Sequence, residues 1–233
     1  MDVLECIKQR HSVRRYEKKE VDWDKIGIIL EAARHAPSSG NLQNWKYLVV
    51  KEEGIREEIA AASVQQFWMS NAPVHIVVCA EVEKAQRFYG IRGDRLYSIQ
   101  NCAAAIENMM LAATSIGLAS TWVGAFDEEK IKGILGIPDY IRPQAILVVG
   151  HAAEEPEAPA KLHLEDLVYI GKWGNRIGDV GITLREWSTS NTVLSMERNI
   201  KEGRKLLDKH GKRVLEKIRD KTQAFVDGAR KRD

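Results

Sequence analysis

The sequence is poor in the residues that cross-link small proteins or bind metals. It has three cysteines, Cys6, Cys79 and Cys102, and no C-x-x-C spacing. This pattern argues against both a disulfide framework and a cysteine-based zinc site. Its six histidines never fall at HxxxH or HExxH spacing, so no metal ligand set is visible. We therefore expect a reducing compartment and no metal, and we expect His75, inside an apolar run, to be a core residue.

Long apolar runs and common nucleotide or nucleophile motifs are also missing. No run approaches the roughly 18 residues that a membrane span requires, and residues 1–5 are acidic where a secretory signal would be basic. We therefore expect a cytoplasmic protein. The sequence contains no GxGxxG after a strand, no GxxxxGK[ST] and no GxSxG, which excludes Rossmann, Walker and nucleophile-elbow sites of the usual form.

The composition is that of a globular protein with a basic end. The chain has 233 residues, of which 44% are hydrophobic and 29% are charged, enough to fold around its own core. Residues 198–233 hold 13 Lys and Arg against 6 Asp and Glu, within a net charge of +2. An apolar stripe from Val193 to Phe225 predicts a helix there. We predict a largely helical extension over 177–233 that packs on a partner subunit; a nucleic-acid or membrane contact is the alternative.

Helical and strand patterns alternate through the first two thirds of the chain. Short apolar runs bounded by Gly, Pro or Asn predict strands over 47–50, 74–79, 120–123 and 145–149. Spacings of three and four predict helices over 3–9, from Asp22 to before Pro37, over 55–62, over 97–116 and from Asp127. These patterns predict an α+β fold with a buried central sheet. The alanines of the helix over 97–116 suit either a core helix or a subunit interface.

Three segments carry polar groups that could bind a ligand. Residues 10–16 contain three arginines, a histidine and a serine, which suit a phosphate. Residues 37–45 form a loop rich in hydrogen-bonding groups that leads into a strand. Residues 121–129 pass from a strand end through small residues into a helix N-terminus, where free N–H groups favour negative atoms. Taken singly, each could be a solvated surface or an ordinary turn.

Together these segments resemble the nitroreductase family of FMN-dependent oxidoreductases. The resemblance covers about residues 1–176, and five segments follow in family order: RHSVR at 10–14, APSSGNLQNW at 36–45, NAPVHIVV at 71–78, SIQNCAAAIENMMLAA at 98–113 and GLASTWVG at 117–124. It implies an FMN-binding domain over 1–176 with a three-layer α/β/α sandwich and a mostly antiparallel sheet. It also implies a homodimer with FMN at the subunit interface.

The resemblance also assigns roles to residues. Arg14, Gly124 and Ala125 would act at the flavin ring, with Arg14 near the edge that gains negative charge on reduction. The other cofactor contacts would be Arg10, His11 and Ser12, together with either Gln65 or Gln66. Either Lys161 or Arg176 would be a further ligand of the phosphate. The partner subunit would supply Pro37, Ser38, Ser39, Asn41 and Gln43. Trp68, Phe88, Tyr89 and Tyr97 would either line the substrate pocket or pack in the core.

The implied activity is transfer of a hydride from NAD(P)H through FMN N5 to an acceptor such as a nitroaromatic or a quinone. A second nucleotide motif is missing, so donor and acceptor would use one pocket in turn, in a ping-pong scheme. Two alternatives remain open. One is a flavoprotein of this fold with specialised chemistry, such as dehalogenation, heterocycle oxidation or flavin fragmentation. The other is a non-catalytic FMN-binding protein.

Overall fold

The structure, a computed structural model, describes residues 1–156 and 158–176. These residues fall into two compact units, one ending at Pro159 and one beginning at Ala160. The first unit contains every strand of the described sheet. The described part of the second unit, residues 160–176, contains one four-residue helix, Leu164–Leu167. The predicted extension over 177–233 and its apolar stripe lie outside the described residues.

Four strands form one antiparallel sheet in the first unit. They are β1 (Trp45–Val50), β2 (Val74–Glu81), β3 (Ala119–Val123) and β4 (Ile141–Gly150). The order across the sheet is β1-β2-β4-β3, and all three pairs are antiparallel. Each predicted strand is present and is one to five residues longer than its apolar run. The α+β prediction is therefore confirmed.

Helices cover both faces of the sheet because its central strands are apolar on both sides. On β2, Ile76 and Val78 join one core cluster, whereas Val77 and Cys79 join the other. Helices α2 (Trp23–Arg34) and α5 (Ser98–Ser115) contribute to the first cluster. Helices α3 (Glu53–Ala62) and α6 (Glu128–Leu135) contribute to the second. The result is the three-layer sandwich that the sequence predicts.

Two further helices flank the site segments. Helix α1 (Val3–Gln9) begins with a capping box, in which the Glu5 N–H donates to Asp2 Oδ1 at 2.9 Å and the Asp2 N–H to Glu5 Oε2 at 3.1 Å. Helix α4 (Val82–Arg92) runs into a π-helical turn, Gly93–Tyr97. Helix α4 is not apparent from the sequence, because Ala85 is its only buried residue and it therefore has no apolar stripe.

Two glycines of α6 should respond in opposite ways to substitution by alanine. Gly136 ends the helix with a φ of 63°, so Gly136→Ala should lower the free energy of unfolding by about 1 kcal/mol. Gly133 lies inside the helix with nothing within 4 Å of an added Cβ, so Gly133→Ala should raise it by up to about 1 kcal/mol. Urea unfolding of both variants measures the pair, and a shift of the same sign in both would contradict this account.

Candidate functional site

The segment 10–16 lies along the outer side of β3. Ser12 forms a parallel bridge with Ser120, and Tyr16 forms an antiparallel bridge with Ala152. The Thr121 hydroxyl donates to the Val13 carbonyl at 2.5 Å and accepts from the Tyr16 hydroxyl at 3.1 Å. Val13 and Tyr16 are buried, whereas Ser12, Arg14 and Arg15 are exposed. The buried pair thus anchors the segment and leaves its polar side chains facing outward.

One carboxylate fixes the backbone at Arg14. Glu154 Oε1 accepts from the Arg14 N–H at 2.7 Å and from the Arg15 N–H at 3.1 Å. Hydrogen bonds to a charged acceptor are stronger than neutral ones, so Glu154 clamps this turn of the chain. Sequence analysis missed Glu154 because it lies 140 residues from Arg14 and belongs to no motif.

Arg14 is brought close to the turn that follows α3. Its guanidinium lies 6.0 Å from the centroid of the Trp68 ring, at the outer range of a cation–π contact. The Gln66 side-chain amide donates to the Ser63 carbonyl at 3.0 Å and to the Ala125 carbonyl at 3.5 Å. We call Arg10, His11, Ser12, Arg14, Gln65, Gln66, Trp68, Gly124 and Ala125 the β3-edge group.

The two glutamines of this group differ in their surroundings. The NH₂ group of Gln66 is used within the chain, as described above. Gln65 is exposed and has a φ of 57°, and its side chain makes no hydrogen bond to another described residue. Of the two, Gln65 is therefore the one whose whole carboxamide faces outward.

The bend after β3 presents unused backbone donors. Among the described residues, no hydrogen bond outside the regular helices and strands starts at the amides of Gly124, Ala125 or Phe126. The bend is tied down at its end, where the Asp127 N–H donates to the Ala62 carbonyl at 2.9 Å. Gly124 and Ala125 are exposed, so their amides are available to an electron-rich ligand.

The loop of residues 37–43, which we call the serine loop, lies before β1. Gly40, Asn41 and Gln43 all have φ between 48° and 56°, a region that side chains other than Gly and Asn seldom adopt. Within the loop the Gln43 N–H donates to Ser38 Oγ at 3.0 Å. Tyr89 covers Gly40 so closely that a Cβ there would overlap its hydroxyl. Tyr89 also meets Tyr97 edge to face, with ring centroids 5.2 Å apart.

The serine loop and the β3-edge group lie at opposite edges of the sheet. The start of β1 and the end of β3 share one end, because Trp45 pairs with Ala80, Ala80 with Arg142, and Val123 with Ile146. In the order β1-β2-β4-β3 three strand spacings separate them, roughly 14 Å across the sheet. The predicted pocket aromatics divide likewise: Trp68 is in the β3-edge group, whereas Tyr89 packs on Gly40 of the serine loop and Tyr97 packs on Tyr89.

The remaining predicted residues have individual placements. Arg10 Nε lies 3.9 Å from Glu107 Oε1. His11 Nδ1 lies 2.8 Å from the Gln9 carbonyl, which leaves Nε2 free to face a ligand. Phe88 is 66% exposed. Lys161 and Arg176 belong to the second unit, where Lys161 is exposed and Arg176 Nη1 lies 3.6 Å from Asp166 Oδ1.

The described part of the chain offers no metal-binding cluster, and two of its cysteines remain protonated. Within residues 1–156 and 158–176 there is no cluster of three or more His, Cys, Asp or Glu that could hold a metal ion. Burial raises the pKa of Cys79 and of Cys102 to about 12, so both remain thiols at neutral pH. In the same ranges, no helix combines the length and the apolar character needed to cross a lipid bilayer.

A family model and several known proteins match most of the first two thirds of this chain. A family model described as the nitroreductase family matches residues 7–68 and 60–151. A Methanothermobacter thermautotrophicus protein, described as a candidate NADH dehydrogenase/NAD(P)H nitroreductase, is 34% identical over 179 residues, or 74% of this chain and 88% of that protein. The NADH dehydrogenase of Thermus thermophilus is 30% identical over 195 residues, covering 72% of this chain and 95% of that protein.

Solved structures share the fold. A nitroreductase family protein from Clostridium novyi has a TM-score of 0.61 and 32% identity, covering 76% of this chain and 97% of that one. An FMN-dependent nitroreductase from Clostridium difficile has a TM-score of 0.59 and 27% identity, covering 67% and 91%. With more than half of its length matched by the family model, the chain belongs to the nitroreductase family.

Proposed function

We propose that this chain is an FMN-dependent oxidoreductase that takes reducing equivalents from NADH or NADPH and passes them to a small acceptor such as a nitroaromatic or a quinone. The observation that carries the proposal is the β3-edge group, where the free amides of Gly124 and Ala125 and the exposed Arg14 side chain lie at one edge of the sheet. The relatives described above, whose names refer to NAD(P)H, NADH and FMN, support the same chemistry.

The donors at this edge fit a flavin mononucleotide. Arg10, His11 and Ser12 offer cationic and hydroxyl groups of the kind that bind a phosphate and a ribityl chain. The amides of Gly124 and Ala125 offer two neutral donors to the acceptor atoms of a flavin ring. Gln65 offers a free carboxamide to the amide-like edge of the ring.

FMN bound here would supply hydride acceptance and donation at N5. Arg14 would stabilise the negative charge that the ring gains on two-electron reduction, because its guanidinium is cationic and would lie near that edge. Glu154 holds the backbone from which this side chain extends. Gly124 and Ala125 would orient the ring, and the aromatic residues would keep water from the reacting face. No side-chain general base is needed for hydride transfer.

The site is completed by a second copy of the chain. Within one protomer the serine loop and the β3-edge group are three strand spacings apart, roughly 14 Å across the sheet. A second subunit would bring a serine loop against the β3-edge group of its neighbour. In a homodimer, Pro37, Ser38, Ser39, Asn41 and Gln43 of one subunit would close over the β3-edge group of the other. The same arrangement would bring Phe88, Tyr89 and Tyr97 to Trp68.

The function is tested by reducing the flavin directly. The purified full-length protein, reconstituted with FMN, should be yellow and should bleach when NADH or NADPH is added anaerobically. A nitroaromatic or quinone should then restore the colour. Bleaching by neither nucleotide would point to specialised chemistry on the same fold, and a protein that binds no FMN would overturn the proposal.

The two-subunit site is tested by mixing defective chains. Arg10→Glu should impair the phosphate contacts of the β3-edge group, and Ser38→Trp should block the serine loop. A mixed dimer of the two variants, purified through two tags, would keep one intact site, so we expect about one FMN per dimer and half of the wild-type activity. Each parent homodimer should bind little FMN. A mixed dimer as empty as its parents would show that the site lies within a single chain.

A further inference from the structure

We propose that Asn101 is a positioning residue of the flavin site. It lies in the first turn of α5. It holds the serine loop in the conformation in which that loop would contact the FMN bound at the β3-edge group of the partner subunit. This inference rests on the proposed function, because the serine loop is held for FMN binding. Asn101 itself faces the protein interior and is not one of the proposed FMN contacts. Asn101 is 4% exposed.

Asn101 holds the serine loop through one oxygen atom. The backbone N–H of Ser39 and the hydroxyl of Ser39 both donate to Asn101 Oδ1, each at 2.9 Å. The two residues are 62 positions apart in the chain. Both donors of Ser39 are therefore fixed to one point on a long, well-packed helix, and the Ser39 hydroxyl is left able only to accept from a ligand.

The rest of the Asn101 side chain is held by a second buried asparagine. Asn101 Nδ2 donates to Asn44 Oδ1 at 2.8 Å, and Asn44 Nδ2 donates to Ser98 Oγ at 3.0 Å and to the Glu81 carbonyl at 3.2 Å. Ser98 in turn donates to the Gly93 carbonyl at 2.8 Å. Asn44 and Ser98 are fully buried, so the bonds from Asn101 to Asn44, from Asn44 to Ser98 and from Ser98 to Gly93 are shielded from water.

The direction of this chain of hydrogen bonds is fixed at both ends. The Ser39 N–H can only donate, so it must meet the oxygen of Asn101, and the Glu81 carbonyl can only accept, so it must meet the nitrogen of Asn44. Neither amide can flip without losing a bond. A buried network with all its members satisfied specifies one arrangement and strengthens cooperatively.

The loop needs such support because its backbone is strained. Asn41 and Gln43 adopt left-handed φ values of 56° and 48°, which persist only where the surroundings enforce them. The serine loop is otherwise joined to its surroundings through Tyr89, which covers Gly40. With Asn101 in place the loop is ordered before FMN arrives, so binding does not have to order it.

Three variants separate positioning from stability. Asn101→Leu removes both bonds to Ser39. Asn101→Asp keeps the oxygen that accepts them but loses the donor to Asn44. Asn44→Leu removes the hydrogen bonds of Asn44 to Asn101, Ser98 and Glu81 and leaves the contact between Asn101 and Ser39 intact. All three should lower the melting temperature, but only Asn101→Leu, which loses the contact with Ser39, should lower the affinity for FMN.

We expect the dissociation constant for FMN to rise about tenfold in Asn101→Leu, and to stay within about threefold of wild type in Asn101→Asp and Asn44→Leu. Equal loss of affinity in Asn101→Leu and Asn44→Leu, or no loss in the former, would overturn the proposal. Affinity is measured by quenching of FMN fluorescence on the full-length chain.

Hydrogen exchange provides a readout that does not need FMN. In the wild-type apoprotein the Ser39 amide should exchange at least about 100-fold more slowly than the Gly40 amide, and this protection should vanish in Asn101→Leu but persist in Asn101→Asp. An unprotected Ser39 amide in the wild type would overturn the inference even if the variants fail to fold. If the wild type binds no FMN while Ser39 is protected, the proposed function fails and the positioning of the loop by Asn101 stands.

Discussion

Replacing Arg14 with glutamine is expected to slow reduction of bound FMN by NADH or NADPH about 100-fold. The proposed site places the Arg14 guanidinium, 6.0 Å from the centroid of the Trp68 ring, near the edge of the flavin where negative charge develops. Removal of one group that stabilises such charge commonly costs roughly 10²–10³-fold in rate. The flavin midpoint potential should fall in the same variant, because the reduced ring loses more stabilisation than the oxidised ring. Anaerobic stopped-flow absorbance and equilibrium reduction measure the two effects.

Arg15→Gln is the matched control for this change. It removes the same charge from the adjacent residue, whose side chain is 80% exposed and lies 3.7 Å from Glu154 Oε2. Long-range electrostatic effects on nucleotide binding should be alike in the two variants, whereas the loss of rate should be confined to Arg14→Gln. Equal losses in both variants would mean that the effect is one of net charge and would remove Arg14 from its proposed role.

A second large effect concerns stability at acid pH and centres on His75. This side chain is fully buried in β2, and its Nε2 donates to the Met69 carbonyl at 2.9 Å. Its Nδ1 has no partner among the described residues. Burial lowers the pKa of His75 to about 4, and the nearby Arg56 contributes in the same direction. The imidazole is therefore neutral in the folded protein at pH values where it is protonated in the unfolded chain.

The sign of the pH dependence follows from this depressed pKa. The stability linked to His75 is fully present above the unfolded pKa of about 6.5 and is lost as the pH falls toward 4, because only the unfolded chain takes up the proton. Over that window the free energy of unfolding should drop by about 3 kcal/mol on this account. Urea unfolding between pH 7 and pH 4 measures the drop.

The contribution of His75 is isolated by comparing variants. His75→Gln has no group that titrates in this window and should show a flatter dependence of stability on pH than the wild type. His163→Gln removes an exposed histidine of the second unit and should leave the wild-type slope unchanged. A His75→Gln protein with the full wild-type slope would show that other groups cause the acid sensitivity.

Much of the local structure could be predicted from the sequence. Helix α2 begins after Asp22 and buries Ile26, Ile29 and Ala33, as the spacing of its apolar residues indicates. Helix α6 begins after Asp127, whose side chain accepts from the Lys130 N–H at 3.2 Å, as acidic residues at a helix start indicate. Such features depend on neighbours within a few positions, which is the range over which sequence patterns carry information.

The patterns of residues by themselves indicated the candidate site only as separate segments, and their grouping around one flavin came from the family resemblance. The resemblance singled out residues 10–14, 37–43 and 124–125, but no spacing reveals which of them share an edge of the sheet. The supporting roles of Glu154 and Asn101 are not apparent from the sequence. Their hydrogen bonds join residues 140 and 62 positions apart, and such contacts produce no periodic pattern. These two side chains hold the backbones of Ser39 and Arg14.

The sequence by itself determined the four strands, the helices with an apolar stripe, and the family to which the chain belongs. It did not reveal α4, which has no such stripe. Only the tertiary structure decided the strand order β1-β2-β4-β3, and with it the separation of the serine loop from the β3-edge group. The physical reason is that periodicity reports whether a residue is buried, whereas the choice of neighbouring strand depends on packing between segments far apart in the chain.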